Sequence, residues 1–350
     1  MLPAMPSPGR AIRSALSTLG VLVLAACASG REPPRGVAWP SPSSPTMRPP
    51  ERREPVRPAT AVELNADSLK SLAWSPFGRA ETGWEIYLPM VAAEIGAAPV
   101  PQGVEFVRAL SAWQRAHRLP ADGVFDAATF VRLRDELQMR RPFLRERTEA
   151  RRTGALCPDP PDELTLEWTT PAESWGARQN RARPGTLAAW RRMRAAAAAD
   201  GALESRLSLQ VFSGFRSPEA TAEACATPGA CDGLRRASCS AHRTGLALDL
   251  VLDGVRPVDS TVDIERLRLS RSTTYRWMLL NARRFGFVNY PFEPWHWEWT
   301  GEPVAPPPSA GVQYAPAASP PLVSAPVPPV SDPTRPLEAT DLLPPDLGPR

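Results

Sequence analysis

The sequence predicts a mixed helix-and-strand domain, preceded by a small helical module and flanked by proline-rich extended segments. Three observations carry this reading. Residues 31–58 and 303–350 are dominated by proline and nearly lack aromatics, so they bury too little apolar surface to offset chain entropy, and they read as a linker and a disordered tail. Residues 61–150 repeat apolar side chains at helical spacing, and residues 157–302 mix helical with alternating strand patterns.

The first 27 residues carry Arg10 and Arg13, then an apolar run from Leu16 to Ala26 that ends in small residues. This is the architecture of an export signal, too short and wrongly flanked to span a membrane. Its end, LAAC at Leu24 to Cys27, resembles a bacterial lipobox, which implies cleavage before Cys27 and lipidation of that cysteine. Several acyl chains on one residue anchor firmly. An aspartate after the cysteine would mark inner-membrane retention, and Ala28 stands there instead. The expectation is a periplasmic chain, lipid-anchored to the outer membrane, with a linker over residues 28–60.

A formal net charge of +4 over 350 residues is modest. The basic residues, arginines apart from Lys70, form no concentrated face, so no nucleic-acid partner is expected. Four cysteines remain besides Cys27: Cys157, Cys225, Cys231 and Cys239. In an exported chain an even count points to disulfides, with three possible pairings. A bridge among Cys225, Cys231 and Cys239 is favoured, because they bracket a glycine-containing loop. The lack of a CxxC pair disfavours a thiolate zinc site.

In the helical module, Val104, Val107, Leu110 and Trp113 recur at helical spacing, as do Ala127, Phe130, Val131 and Leu133 after a Pro-Ala-Asp-Gly turn. The upstream stretch GWEIYLPMVAAEIG is expected to pack against these two helices. WQRAHRLPADGVFDAATF resembles the peptidoglycan-binding-domain repeat: a helix carrying a glutamine, a turn at Asp122 and Gly123, and a second helix opened by a Thr-containing segment. Asp122 and Gly123 serve the turn whether or not the module binds polymer. His117, at the end of the first helix, reads as an exposed residue and not a ligand.

Past Cys157 the pattern changes. PGTLAAWRRMRAAAAADGAL opens with proline and continues in alanine, a helix. LSLQVFSGFRS alternates apolar residues and ends in a glycine turn, a strand. In SAHRTGLALDLVL, His242 lies in a loop that Gly245 lets turn back, and Ala247 and Asp249 share one face of the strand that follows. An imidazole and a carboxylate so placed form half of a metal site. The other half is His296 in EPWHWEW, where alternating aromatics argue for a strand. Zinc accepts imidazole nitrogen and carboxylate oxygen, and a catalytic site leaves one position open for water. His242, Asp249 and His296 supply three ligands, Glu293 a general base, and Arg216 a cation for a carboxylate or a developing oxyanion.

SAHRTGLALD matches SxHxxGxAxD, EPWHWEW matches ExWH, and SGFRS resembles SGYRS. In this order they resemble the VanY-type zinc D-alanyl-D-alanine carboxypeptidases, relatives of the hedgehog-like and lysostaphin-like metallopeptidases, over about Pro184 to Trp299. The resemblance implies an α+β fold, an antiparallel sheet with helices on one side. It implies Zn2+ on His242, Asp249 and His296, Glu293 as general base, and Arg216 and Ser240 in contact with substrate. Phe215 stands where tyrosine is usual, and the glutamine often found beyond that segment is missing from SPEATAEAC. The expected function is removal of the terminal D-alanine from peptidoglycan stem peptides. The alternatives are L,D-carboxypeptidase or endopeptidase action on the same fold, or an inactive cell-wall-binding lipoprotein.

Overall fold

The computed structural model describes residues 57–233, 236–257 and 259–301. The export signal, Cys27, the linker through residue 56 and the tail lie outside the described residues. Helix α1 (Pro58–Ser71) opens on a proline, whose missing N–H costs nothing at a helix start. It takes up residues 58–60, which the sequence pattern assigned to the linker. A short hairpin follows, β1 (Ala73–Trp74) with β2 (Glu81–Thr82), then α2 (Leu88–Ile95), which stops at Gly96 in the left-handed region. The expected helix pair is present as α3 (Val104–Ala116) and α4 (Ala127–Met139), and Asp126 caps α4 by accepting from the Thr129 N–H at 2.8 Å.

The core of this region is aromatic: Trp84, Tyr87, Phe106, Phe125 and Phe130 are buried together with Leu110, and Trp84 stacks on Phe125 with centroids 4.1 Å apart. GWEIYLPMVAAEIG thus packs on the helix pair as expected. Three positions of the expected stripes differ, and one of them is Ala127, the exposed first residue of α4. Val104 and Val131 are each 42% exposed. Val104 is the first residue of α3, and the buried stripe of α4 runs through Phe130, Leu133 and Leu137, a spacing that turns Val131 outward.

The motif residues of this module act as an internal truss. Gln114 donates to the Val124 carbonyl (3.0 Å) and the Thr129 hydroxyl (3.1 Å), and accepts from the Gly123 N–H (2.8 Å). Buried Asn65 of α1 donates to the Gly123 carbonyl and accepts from the Phe125 N–H. Gly123 has φ +71°, and a Cβ there would lie 2.7 Å from a Val107 methyl. His117 is half-buried, stacked on Trp113 and 3.0 Å from Glu136, apart from the other two histidines.

Helix α5 (Pro142–Arg152) leads to Cys157, a segment of short 3-10 turns, and the pair β3 (Glu167–Trp168) with β4 (Arg181–Ala182). Then come α6 (Pro184–Ala199), β5 (Val211–Ser213), α7 (Pro218–Ala224), β6 (Ala247–Leu250), α8 (Asp263–Ser270), α9 (Thr273–Asn281), β7 (Phe287–Tyr290) and β8 (Glu293–Trp299). The main sheet has the order β5-β6-β8-β7 and is antiparallel throughout, giving the expected α+β fold. One face buries Leu248, Leu250 and Trp297 against Trp190 and Met193 of α6 and Met278 of α9. The opposite face carries Asp249 and His296, and Phe143 of α5 packs at its end against Ala241 and Ala247. Disulfides join Cys225 to Cys231 and Cys157 to Cys239, so the favoured local bridge forms and Cys239 reaches back across 82 residues.

The described residues lie in one compact unit. Buried and half-buried arginines tie the helical region to the elements around the sheet. Arg266 of α8, fully buried, lies 3.1 Å from Glu81 and donates to the Phe292 carbonyl at 3.0 Å, its guanidinium 4.2 Å from the Phe292 ring centroid. Arg79 reaches Asp263 at the start of α8 (2.7 Å), and Glu94 of α2 pairs with both Arg140 and Arg283. Losing one partner of a buried pair leaves a charge without compensation. Arg266→Ala is therefore expected to lower unfolding stability by about 3–5 kcal/mol in urea titrations. Arg266→Met combined with Glu81→Gln should restore much of the loss.

Candidate metal centre

The site is built on the β6–β8 ladder. Asp249 and His296 are direct cross-strand partners, so their side chains leave the same face of the sheet. Asp249 Oδ1 lies 2.9 Å from His296 Nδ1. His242 comes from the 3-10 turn Ala241–Thr244, which Gly245 closes at φ +70°. That turn brings His242 Nε2 to 3.1 Å from Asp249 Oδ2. The three donor atoms lie within 4.8 Å of one another, and all three residues are buried.

Each imidazole is held from behind. His242 Nδ1 lies 2.7 Å from the Gly214 carbonyl, which makes Nδ1 the protonated nitrogen and turns Nε2 toward Asp249. Gly214 has no room for a Cβ, which would meet the Arg181 carbonyl at 2.4 Å. His296 presents the other nitrogen: Nδ1 faces Asp249, and Nε2 lies 3.4 Å from Glu298 Oε1. Glu298 in turn pairs with Arg141 at 2.6 Å and accepts from the Phe143 N–H at 3.1 Å.

Glu293 reaches this face through an irregularity. Positions 293 and 296 differ by three, so a regular strand would place them on opposite faces. The β7–β8 ladder breaks between Asn289 and Tyr290, and Glu293 Oε2 lies 4.0 Å from His296 Nδ1. Asn289 fixes the irregular stretch by donating to the Glu293 and His296 carbonyls at 3.2 and 2.9 Å.

The electrostatics favour positive charge at the centre. Burial would raise the Asp249 pKa, but the imidazoles, His242 foremost, outweigh it and hold the carboxyl below its usual range. Burial drives His242 below its ordinary value, and Asp249 offsets only part of this. Burial also acts against His296, yet its hydrogen bonds to Asp249 and Glu298 carry it up to about 9. Glu293 is pushed up to about 7, chiefly by burial. Two imidazoles and one carboxylate, all buried, are a donor set that fits zinc.

The cleft beside this group has a volume of about 610 Å³. Arg216, Ser240 and Glu293 are among the residues that line it. Arg216 sits just beyond β5, its N–H donating to the His242 carbonyl (3.2 Å) and its guanidinium to Ser213 Oγ (3.3 Å). Ser240 also caps the turn that carries His242, accepting from the His242 N–H at 3.4 Å.

Residues 179–302 match the family model VanY, D-alanyl-D-alanine carboxypeptidase. The chain carries a VanY-type domain. No curated protein matches the chain. The VanY-type match starts just before α6 and ends just after β8, so it spans the whole main sheet and every residue of the centre. Helices α1–α5 lie outside it.

Sequence reasoning missed Glu298, Arg141 and Asn289. Glu298 had a usable signal, since the two-residue period of a strand places it beside His296. Arg141 had none, because it is 157 residues from its partner. Asp249→Ala removes the central oxygen donor of the group. Metal analysis of the purified variant is expected to show loss of stoichiometric divalent ion from a chain that otherwise carries about one equivalent.

Proposed function

We propose that this chain is an exported, zinc-dependent carboxypeptidase that releases the terminal D-alanine of peptidoglycan stem peptides. The observation that carries the reading is the convergence of His242, Asp249 and His296 within 4.8 Å, with Glu293 4.0 Å from His296. His242, Asp249 and His296 would hold the zinc, which would supply Lewis acidity for a carbonyl and for the attacking water. Glu293 Oε takes a proton from the attacking water and delivers it to the nitrogen of the departing D-alanine. Burial, which favours the protonated carboxyl, suits Glu293 to return the proton it takes.

Arg216 binds the substrate's terminal carboxylate. Among the described residues it has no carboxylate partner, and it lines the same cleft as Glu293. An unpaired guanidinium beside the scissile position favours a free C-terminus over an internal cross-link, and so favours carboxypeptidase over endopeptidase action. Ser240 lies within the same lining and contacts the peptide backbone. The helical region over residues 61–150 holds the enzyme near polymer, raising the effective concentration of substrate. Lipidated Cys27 holds it at the periplasmic face of the outer membrane.

Glu293→Gln is expected to retain zinc while losing about 10²–10⁴ in kcat, read as D-alanine release from a pentapeptide muropeptide. Unchanged turnover would refute the assignment. Chelation should abolish release and zinc should restore it. Arg216→Gln should raise KM far more than it lowers kcat. Mass spectrometry of the products from tri-, tetra- and pentapeptide muropeptides separates D,D- from L,D-cleavage.

A further inference from the structure

The corner between α4 and α5 belongs to the helical region, outside the VanY-type match, yet it touches the ion site. Arg141, 6% exposed, donates from Nε (2.7 Å) and lies 2.6 Å away through Nη2, both to Glu298 Oε1. Its Nη1 donates to Gln138 Oε1 at 2.6 Å, and its guanidinium sits 4.1 Å from the Tyr290 ring centroid. The other oxygen, Oε2, accepts from the N–H of Phe143, one of the unpaired amides at the start of α5. Glu298 is fully buried on β8, and its Oε1 faces His296 Nε2. Every strong contact that fixes this carboxylate from behind therefore comes from the helical region.

We propose that Arg141 is a positioning residue for the metal centre: with the Phe143 amide it locks the Glu298 carboxylate, which holds His296 with Nδ1 directed at Asp249. This rests on the metal reading given above. An imidazole that must present Nδ1 needs an acceptor at Nε2 to fix its tautomer and ring plane, and removing such outer partners commonly costs metal affinity. The helical region is then part of the ion site, beyond any role in holding polymer. Arg140 offers a matched control. It neighbours Arg141 in sequence and ties the same corner to Glu94, without reaching Glu298.

The test is zinc affinity of the full chain, measured by competition with a chromophoric chelator, beside urea unfolding of each apo variant. Arg141→Gln is expected to weaken zinc about ten- to a hundredfold, Arg141→Lys less, and Arg140→Gln not at all. Because Arg141→Gln strands a buried carboxylate, a second variant separates packing from positioning. Arg141→Met with Glu298→Leu removes both charges and should recover stability, while zinc stays weakly bound because His296 still lacks its acceptor. Zinc affinity that returns along with stability, or that Arg141→Gln never loses, overturns the proposal and leaves the metal reading intact. A wild-type chain that binds no zinc overturns both.

Discussion

Everything at the centre depends on one carboxylate set between two imidazoles on the face of a four-stranded sheet opposite its apolar core. The β6–β8 register places Asp249 opposite His296, and slipping that register by one residue would send Asp249 into the apolar layer with Leu248 and Leu250. The same ladder therefore specifies core and site together. Burying an anion is costly unless positive charge or protons meet it. Here both carboxylate oxygens face ring nitrogens at about 3 Å, and neither imidazole is free to turn away.

The two imidazoles present unlike nitrogens, and the backbone explains why. His242 stands on a turn whose ring reaches back to the Gly214 carbonyl through Nδ1, leaving Nε2 forward. His296 stands on a strand, where the nearest acceptor behind it is the side chain two positions on, Glu298. A turn supplies a carbonyl and a strand supplies a neighbour of the same face. The different chemistry of the two supports follows from the different geometry of their elements. Glu293 is the exception on β8, brought round only because the β7–β8 pairing breaks and Asn289 holds the displaced carbonyls.

Short-range patterns made much of this legible. Helices α3, α4 and α6 and strands β5, β6 and β8 follow from spacing and from proline and glycine at their ends, and His242, Asp249, His296, Glu293, Arg216 and Ser240 all fall at one cleft. What the pattern could not carry was long-range partnership. The Cys157–Cys239 bridge, the Arg266–Glu81 pair and the Arg141–Glu298 pair span 82, 185 and 157 residues, respectively. Arginines are so numerous in this chain that none of the buried ones stood out. Val131 of α4 turns outward because the buried stripe of that helix runs through Thr129, Phe130, Leu133 and Leu137, which leaves position 131 on the far side.

The position of the buried arginines changes what the helical region must be. A module that served only as a tether would meet the catalytic sheet through an exposed, polar contact. Here its motif residues Gln114, Asp122, Gly123 and Thr129 hydrogen-bond to one another around its own turn. Its far end behaves differently, because Arg141, Phe143, Leu144 and Arg147 line the cleft itself. The disulfide from Cys157 to Cys239 then fastens the segment after α5 to the loop that delivers Ser240 and His242. Helix α5 is thus one side of the cleft, facing the lining that Glu293, Asp249 and His296 supply.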